Sequence, residues 1–196
     1  MKTKLPVAAA VLAFSVSLLA TGFGSGAGAA AVTKDPKNAG QLGALLTAKK
    51  LGCHDFAPET FTGTTPTSST VPAALQALFA LVGKASVGSC SVGADQTILV
   101  VFRDSATRKR LESGLAALPC PIVTAVLGRL TTPTTGGAPS ATKVKLPLVE
   151  VGTRGLVIST GTAPDTDRLD LGAAASADKT IASRTKGKLR TISYSC

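Results

Sequence analysis

A single histidine, a single tyrosine and no tryptophan at all narrow what this chain of 196 residues can do. Nucleophilic hydrolysis needs a base within reach of an activated serine or cysteine, and His54 is the one imidazole on offer. It adjoins Cys53, and the chain contains no G-x-S-x-G elbow. A hydrolase is therefore a secondary alternative. Zinc is excluded on similar grounds, because no C-x-x-C pair accompanies the lone histidine. Aromatics make up only 4% of the residues, so interleaved stacking side chains for specific nucleic-acid binding are missing despite the positive charge. Acidic residues are outnumbered, at 11 against 21 Lys and Arg. Glu59, Glu112 and Glu150 fall on different expected elements, and nothing in their spacing forces an acid and base pair together. Asp165, Asp167 and Asp170 depart from the calcium-loop spacing and read as a solvated acidic turn. No metal, no cofactor and no enzymatic activity are expected.

Long apolar runs are absent too, save one. Lys2 and Lys4 precede an apolar stretch from Leu5 to Leu19, and Ala27-Gly28-Ala29 supplies a small-residue cleavage site. Residues 1–29 are expected to be a secretory signal peptide. The apolar stretch is interrupted by Gly22, Gly24, Gly26 and Gly28 before it reaches bilayer-spanning length. The mature product is expected to be secreted or cell-wall associated, with no transmembrane segment left after cleavage. Residues 30–196 suffice for one domain with a real core. Without Lys2 and Lys4 the formal charge of +10 becomes +8, which favours loose association with anionic polymers without specifying one.

Four cysteines in an exported chain point to two disulfides. Sequence leaves three pairings open. The preferred one joins Cys53 to Cys90, the end of the first helix to the first hairpin, and Cys120 to Cys196, the body to the C-terminus.

The segment from Gly88 to Leu118 organises the remainder. Ser89 to Val92 and Thr97 to Arg103 flank a Gly93-Ala94-Asp95 turn, which predicts a hairpin. Ile98, Val100 and Phe102 alternate with Leu99 and Val101, so both faces are apolar and the strand is central and covered. Asp104 or Ser105 caps a helix that buries Leu111, Leu115 and Leu118. Before this unit, Asp35-Pro36 is expected to cap a first helix burying Ala39, Leu42, Leu45 and Leu46. Pro72 to Gly83 reads as a second, core-packed helix with Leu75, Leu78, Phe79 and Val82 inward. Residues near 57–70 and 131–142 read as flexible insertions. After them, Val144 to Val151 and Leu156 to Thr160 predict a second hairpin, with Pro147 marking an edge or bend. A short helix is expected within Ala173 to Ala182, and Lys188 to Cys196 alternates as a final strand with Ile192, Tyr194 and Cys196 on one face.

The expected fold is α+β, an antiparallel sheet of two β-hairpins plus a C-terminal strand, with helices packed on it and two disulfides. The run of helix, Gly52-Cys53, then Gly88-Ser89-Cys90 opening a hairpin and helix resembles small exported domains of high-GC bacteria, which implies a fold and no activity. Cys120-Pro121-Ile122-Val123 is similar to the disulfide-anchored reactive loop of subtilisin-inhibitor proteins. That resemblance implies a secreted protease inhibitor presenting Cys120 to Thr124 in extended form, as an alternative function. The leading expectation is a non-enzymatic extracellular or cell-envelope protein. Lys179, Arg184, Lys186, Lys188 and Arg190 gather with no acidic neighbour after Asp178, and are expected to bind anionic cell-wall polymer or an extracellular protein partner.

Overall fold

The computed structural model describes residues 34–59, 78, 80–123, 143–161 and 170–195. The expected signal peptide, both flexible insertions apart from 57–59, Asp165, Asp167 and Cys196 lie outside them.

Six strands form one antiparallel sheet in the order β1-β2-β3-β5-β4-β6. β1 is Cys53–Glu59, β2 Ser86–Val92, β3 Asp95–Val101, β4 Lys143–Val151, β5 Gly155–Ser159 and β6 Lys188–Ser195. Among the described residues, helices α1, Ala39–Ala48, α2, Ser105–Ala116, and α3, Leu171–Thr185, pack on it. The fold is α+β, with the two expected hairpins and the C-terminal strand, and one further strand is added to them. That strand is β1, where the sequence predicts a helix end followed by a loop. Its composition hides it, because Pro58 and a left-handed Asp55 (φ 54°) are residues of an edge, where only one side must pair.

Both faces of the sheet are covered. On the first face Leu99, Val101, Val149, Val151 and Val157 meet Leu42, Leu45 and Leu46 of α1 and Ile181 of α3. On the second, Val100, Phe102, Leu148, Leu156, Ile192 and Tyr194 meet Leu111 of α2 together with Leu78 and Val123. The alternation expected along β3 is thus the partition between the two cores. Within the expected second helix, 78 and 80–82 are helical and Leu78 is buried.

Local signals explain the ends of these elements. β2 and β3 turn through Gly93-Ala94, where Gly93 supplies the positive φ (64°) that a two-residue hairpin needs. Asp104 caps α2 by accepting from Thr107 N at 2.7 Å. The cap of α1 is Asn38, which accepts from Gln41 N, and not Asp35. Asp35 instead accepts from Thr153 N at 2.8 Å and pairs with Arg154 at 3.3 Å, fastening the start of the domain to the β4-β5 loop. β4 carries Pro147 although it is an inner strand. Its pairing with β5 covers only Val149 to Val151, so the half that holds Pro147 is an edge on that side.

Cys53 and Cys90 are bonded, with 5.4 Å between their Cα atoms. One disulfide, not two, is found among the described residues, since the expected partner of Cys120 is Cys196. Cys120 Sγ lies 3.4 Å from the carbonyl oxygen of Ser195. No described helix is long and apolar enough to cross a membrane.

Candidate functional site

β6 brings Lys188 and Arg190 to the last edge of the sheet, and the structure separates the five basic residues. Lys179 and Arg184 are exposed on α3, five residues and therefore about 140° apart around its axis. Lys186 caps that helix in the left-handed conformation (φ 56°). Gly187 follows, with N–H bonds to Ala182 O and Thr185 Oγ1. A Cβ here would stand 2.6 Å from Glu150 O, so only glycine lets α3 pass this closely over β4. Lys186 and Lys188 therefore project from an ordered junction.

Arg190 does not belong with them. The expectation that it lacks an acidic neighbour is wrong: its Nε donates to Glu150 Oε1 at 2.5 Å. Glu150 lies on β4 on the α2 side of the sheet, and antiparallel pairing of β4 with β6 brings the two together from 40 residues apart. Arg108 of α2 completes the group. Its Nη1 is 2.9 Å from Glu150 Oε2 and its Nε 3.6 Å from Glu112 Oε1. Arg108 is a buried cation, and Glu150 is nearly buried as well.

Burial pushes the Glu150 carboxyl up, but hydrogen bonding and charge from Arg190 and Arg108 outweigh it and hold the group below the usual glutamate range. Glu112 goes the other way. Burial raises it, and the neighbouring Glu150 charge adds to the rise against the attraction of Arg108. Its Oε1 is buried without a hydrogen-bond donor. Beside this network a cleft of about 280 Å³ opens between α2 and β6, lined by Glu112, Ser113, Ala116, Leu148, Arg190 and Ile192.

Sequence reasoning keeps Glu112 and Glu150 apart, yet both touch Arg108. Two signals point that way. Arg108 and Glu112 stand at i, i+4, the spacing of a helical ion pair. Glu150 interrupts the apolar run of β4 on the same face as Leu148, where a charge requires a partner.

On the opposite face Asp178 of α3 is fully buried. Ser159 Oγ donates to its Oδ1 at 2.6 Å, while Oδ2 has no hydrogen-bond partner. Burial raises this carboxyl to about 6, with the Asp95 charge adding a little. Asp178 shares the inward stripe of α3 with Ala174, Ile181 and Ala182, a position that reads as core.

The remaining candidates resolve simply. His54 is exposed on β1 beside the disulfide. Asp170 caps α3 by accepting from Gly172 N and Ala173 N. No cluster of metal-ligating side chains occurs among the described residues. The segment after α2 is not extended, as an inhibitory loop requires. Residues 120–123 form a helical turn closed by Ile122 N and Val123 N on Pro119 O, and Val123 is buried in the core. Prolines at 119 and 121 fit the first positions of a helix, which explains the outcome. Thr124 lies outside the described residues. No known protein family, curated protein or solved structure matches the chain.

Proposed function

We propose that this is an exported, non-enzymatic protein of the cell envelope or extracellular space, held by its basic surface to anionic wall polymer. One observation carries the reading. Lys186 and Lys188 flank a glycine that close packing immobilises, so two exposed cations are fixed where α3 hands over to β6. Fixed charges raise the local potential more than the same charges on a mobile tail. Lys179 and Arg184 extend the positive field along α3. Arg190 contributes less, being matched by Glu150. Export rests on the N-terminal run and on a disulfide at the position expected of an oxidising compartment. A second disulfide between Cys120 and Cys196 belongs to the same proposal, supported by the closeness of Cys120 to Ser195.

The test is partition of the secreted protein, whose mass should place its start near Ala30, onto isolated cell walls. Replacing Lys179, Arg184, Lys186 and Lys188 with glutamine should release it at low ionic strength with an unchanged circular dichroism spectrum. High salt should release the wild type equally. Identical partitioning of the two proteins at low salt would remove the basic surface from the function.

A further inference from the structure

The two edges of the sheet are built differently. β1 carries Pro58, the left-handed Asp55 and a register shift between His54 and Ala57, three devices that spoil pairing with another chain. β6 has none of them. Its register with β4 runs unbroken from Lys188 opposite Glu150 to Ser195 opposite Lys143, eight consecutive residues without proline, glycine or bulge. Among the described residues no strand pairs with its outer side, Cys120 Sγ reaches only the carbonyl of Ser195 at its far end, and Lys188, Leu189, Arg190, Thr191 and Ser193 are all exposed. Leu189 is one of only two large apolar side chains exposed among the described residues. A regular edge of this kind presents a row of unmet N–H and C=O groups to any extended chain.

α2 stands over the same edge. The gap between the helix and β6 is the cleft of about 280 Å³, so edge and helix together form a groove. A strand laid along β6 points alternate side chains to the α2 side, and one beside Ile192 reaches the cleft. Ala116, Leu148 and Ile192 give that cleft an apolar part between the polar Ser113, Glu112 and Arg190; Arg190 is already matched by Glu150, so Glu112 disfavours a carboxylate there. The outer charges sit at one end of β6, where Lys186 and Lys188 are exposed.

We propose that the β6-α2 groove takes an extended, acidic segment of another polypeptide as a seventh strand, with an aliphatic side chain in the cleft and carboxylates at the Lys186 and Lys188 end. This goes beyond attachment to wall polymer, because a polymer senses charge alone whereas an added strand also uses the main chain. A second copy of this chain is the poorer occupant, since it brings the same basic excess.

The probe is a labelled octapeptide whose first three residues are glutamate and whose fifth and seventh are valine, the rest threonine, so that one face carries carboxylates at one end and aliphatic groups at the other; its binding is followed by fluorescence anisotropy at low salt. Two further versions carry N-methyl groups on the odd or on the even residues, which leaves every charge in place. The expected result is that the plain peptide binds and that one methylated version, the one whose N–H groups face β6, loses at least about tenfold while the other does not. Ala116→Phe, a change at an exposed helix position that fills the cleft, should weaken the plain peptide by a similar factor. Equal binding of all three peptides would show attraction by charge only, overturning the groove while leaving the polymer reading intact. Failure of the plain peptide to bind, indifference to Ala116→Phe, or sedimentation as a dimer that excludes the peptide would each overturn the proposal.

Discussion

Each face of the sheet buries a carboxylate, and the two faces meet the cost in opposite ways. Glu150, on the α2 side, is paired with Arg108 and Arg190 and stays ionised, its pKa lowered despite burial. Asp178, on the inner side of α3, is met by Ser159 alone, through its hydroxyl and its backbone N–H, and keeps one bare oxygen; burial outweighs these bonds and its pKa rises to about 6. Pairing keeps a buried charge charged; isolation pushes it toward neutrality. The disulfide divides the molecule along the same line, since Cys90 belongs to the core beneath α1 and α3. One face is therefore secured covalently around a lone acid, and the other by an ion network around a buried arginine.

The largest expected effect comes from opening the covalent link. Cys53 and Cys90 are 37 residues apart, a loop whose crosslinking is worth about 4 kcal/mol in the chain-entropy model. The double variant Cys53→Ala, Cys90→Ala should lose stability of that order in urea denaturation, while the remaining thiols of the unfolded, unreduced protein stay unlabelled if Cys120 and Cys196 are paired. A loss near zero would place the burden of that face on packing alone.

Glu150→Gln comes next and attacks the other face. It leaves the Arg108 cation buried with only the distant arm of Glu112, a loss of roughly 3 kcal/mol at neutral pH. The pH dependence has a definite sign. Glu150 has a folded pKa below its unfolded value, so its contribution is present above the unfolded pKa and fades as pH falls through the folded one. Wild type and variant should converge in acid. A constant gap from neutral pH down to about pH 3, measured by denaturant titration, would mean that the network does not act through ionised Glu150.

How much of this is legible in the sequence follows from the range of the interactions. The alternation of β3, the stripe of α1 and the capping of α2 by Asp104 are set by neighbours within a few residues, and each is readable. The first disulfide is readable from the hairpin and helix it joins. β1 is not, because an edge strand with a proline and a left-handed residue carries no alternation to detect. The Arg108, Glu150 and Arg190 network escapes for a different reason. It depends on β4 and β6 being neighbours in space, and strand order is not written in local pattern. The same gap assigns Arg190 to an open basic patch. Pro119 and Pro121 mislead in the other direction, since prolines that read as an extended segment here begin a helical turn.

The smallest expected effect is a gain, and it tests whether the isolated carboxylate is truly a burden. Asp178 has a folded pKa of about 6 against an ordinary aspartate value of 3.8. Raised in the folded state, it binds its proton there more tightly than in the unfolded chain, so stability falls as pH climbs from about 4 to 6 and then levels off. A rise of that size corresponds to about 3 kcal/mol, an upper figure for a group with this much burial. An amide in place of the carboxylate has no charge to desolvate, and its oxygen still accepts from Ser159, although its nitrogen meets the same bare surroundings as Oδ2. Asp178→Asn should accordingly stabilise the protein by roughly 1 to 2 kcal/mol at about pH 7 and give no advantage at about pH 4. Denaturant midpoints of the two proteins at both pH values decide it. A variant whose deficit is larger at about pH 7 than at about pH 4 would show that the ionised carboxylate has a partner worth more than its burial costs, and the contrast between the two faces would disappear.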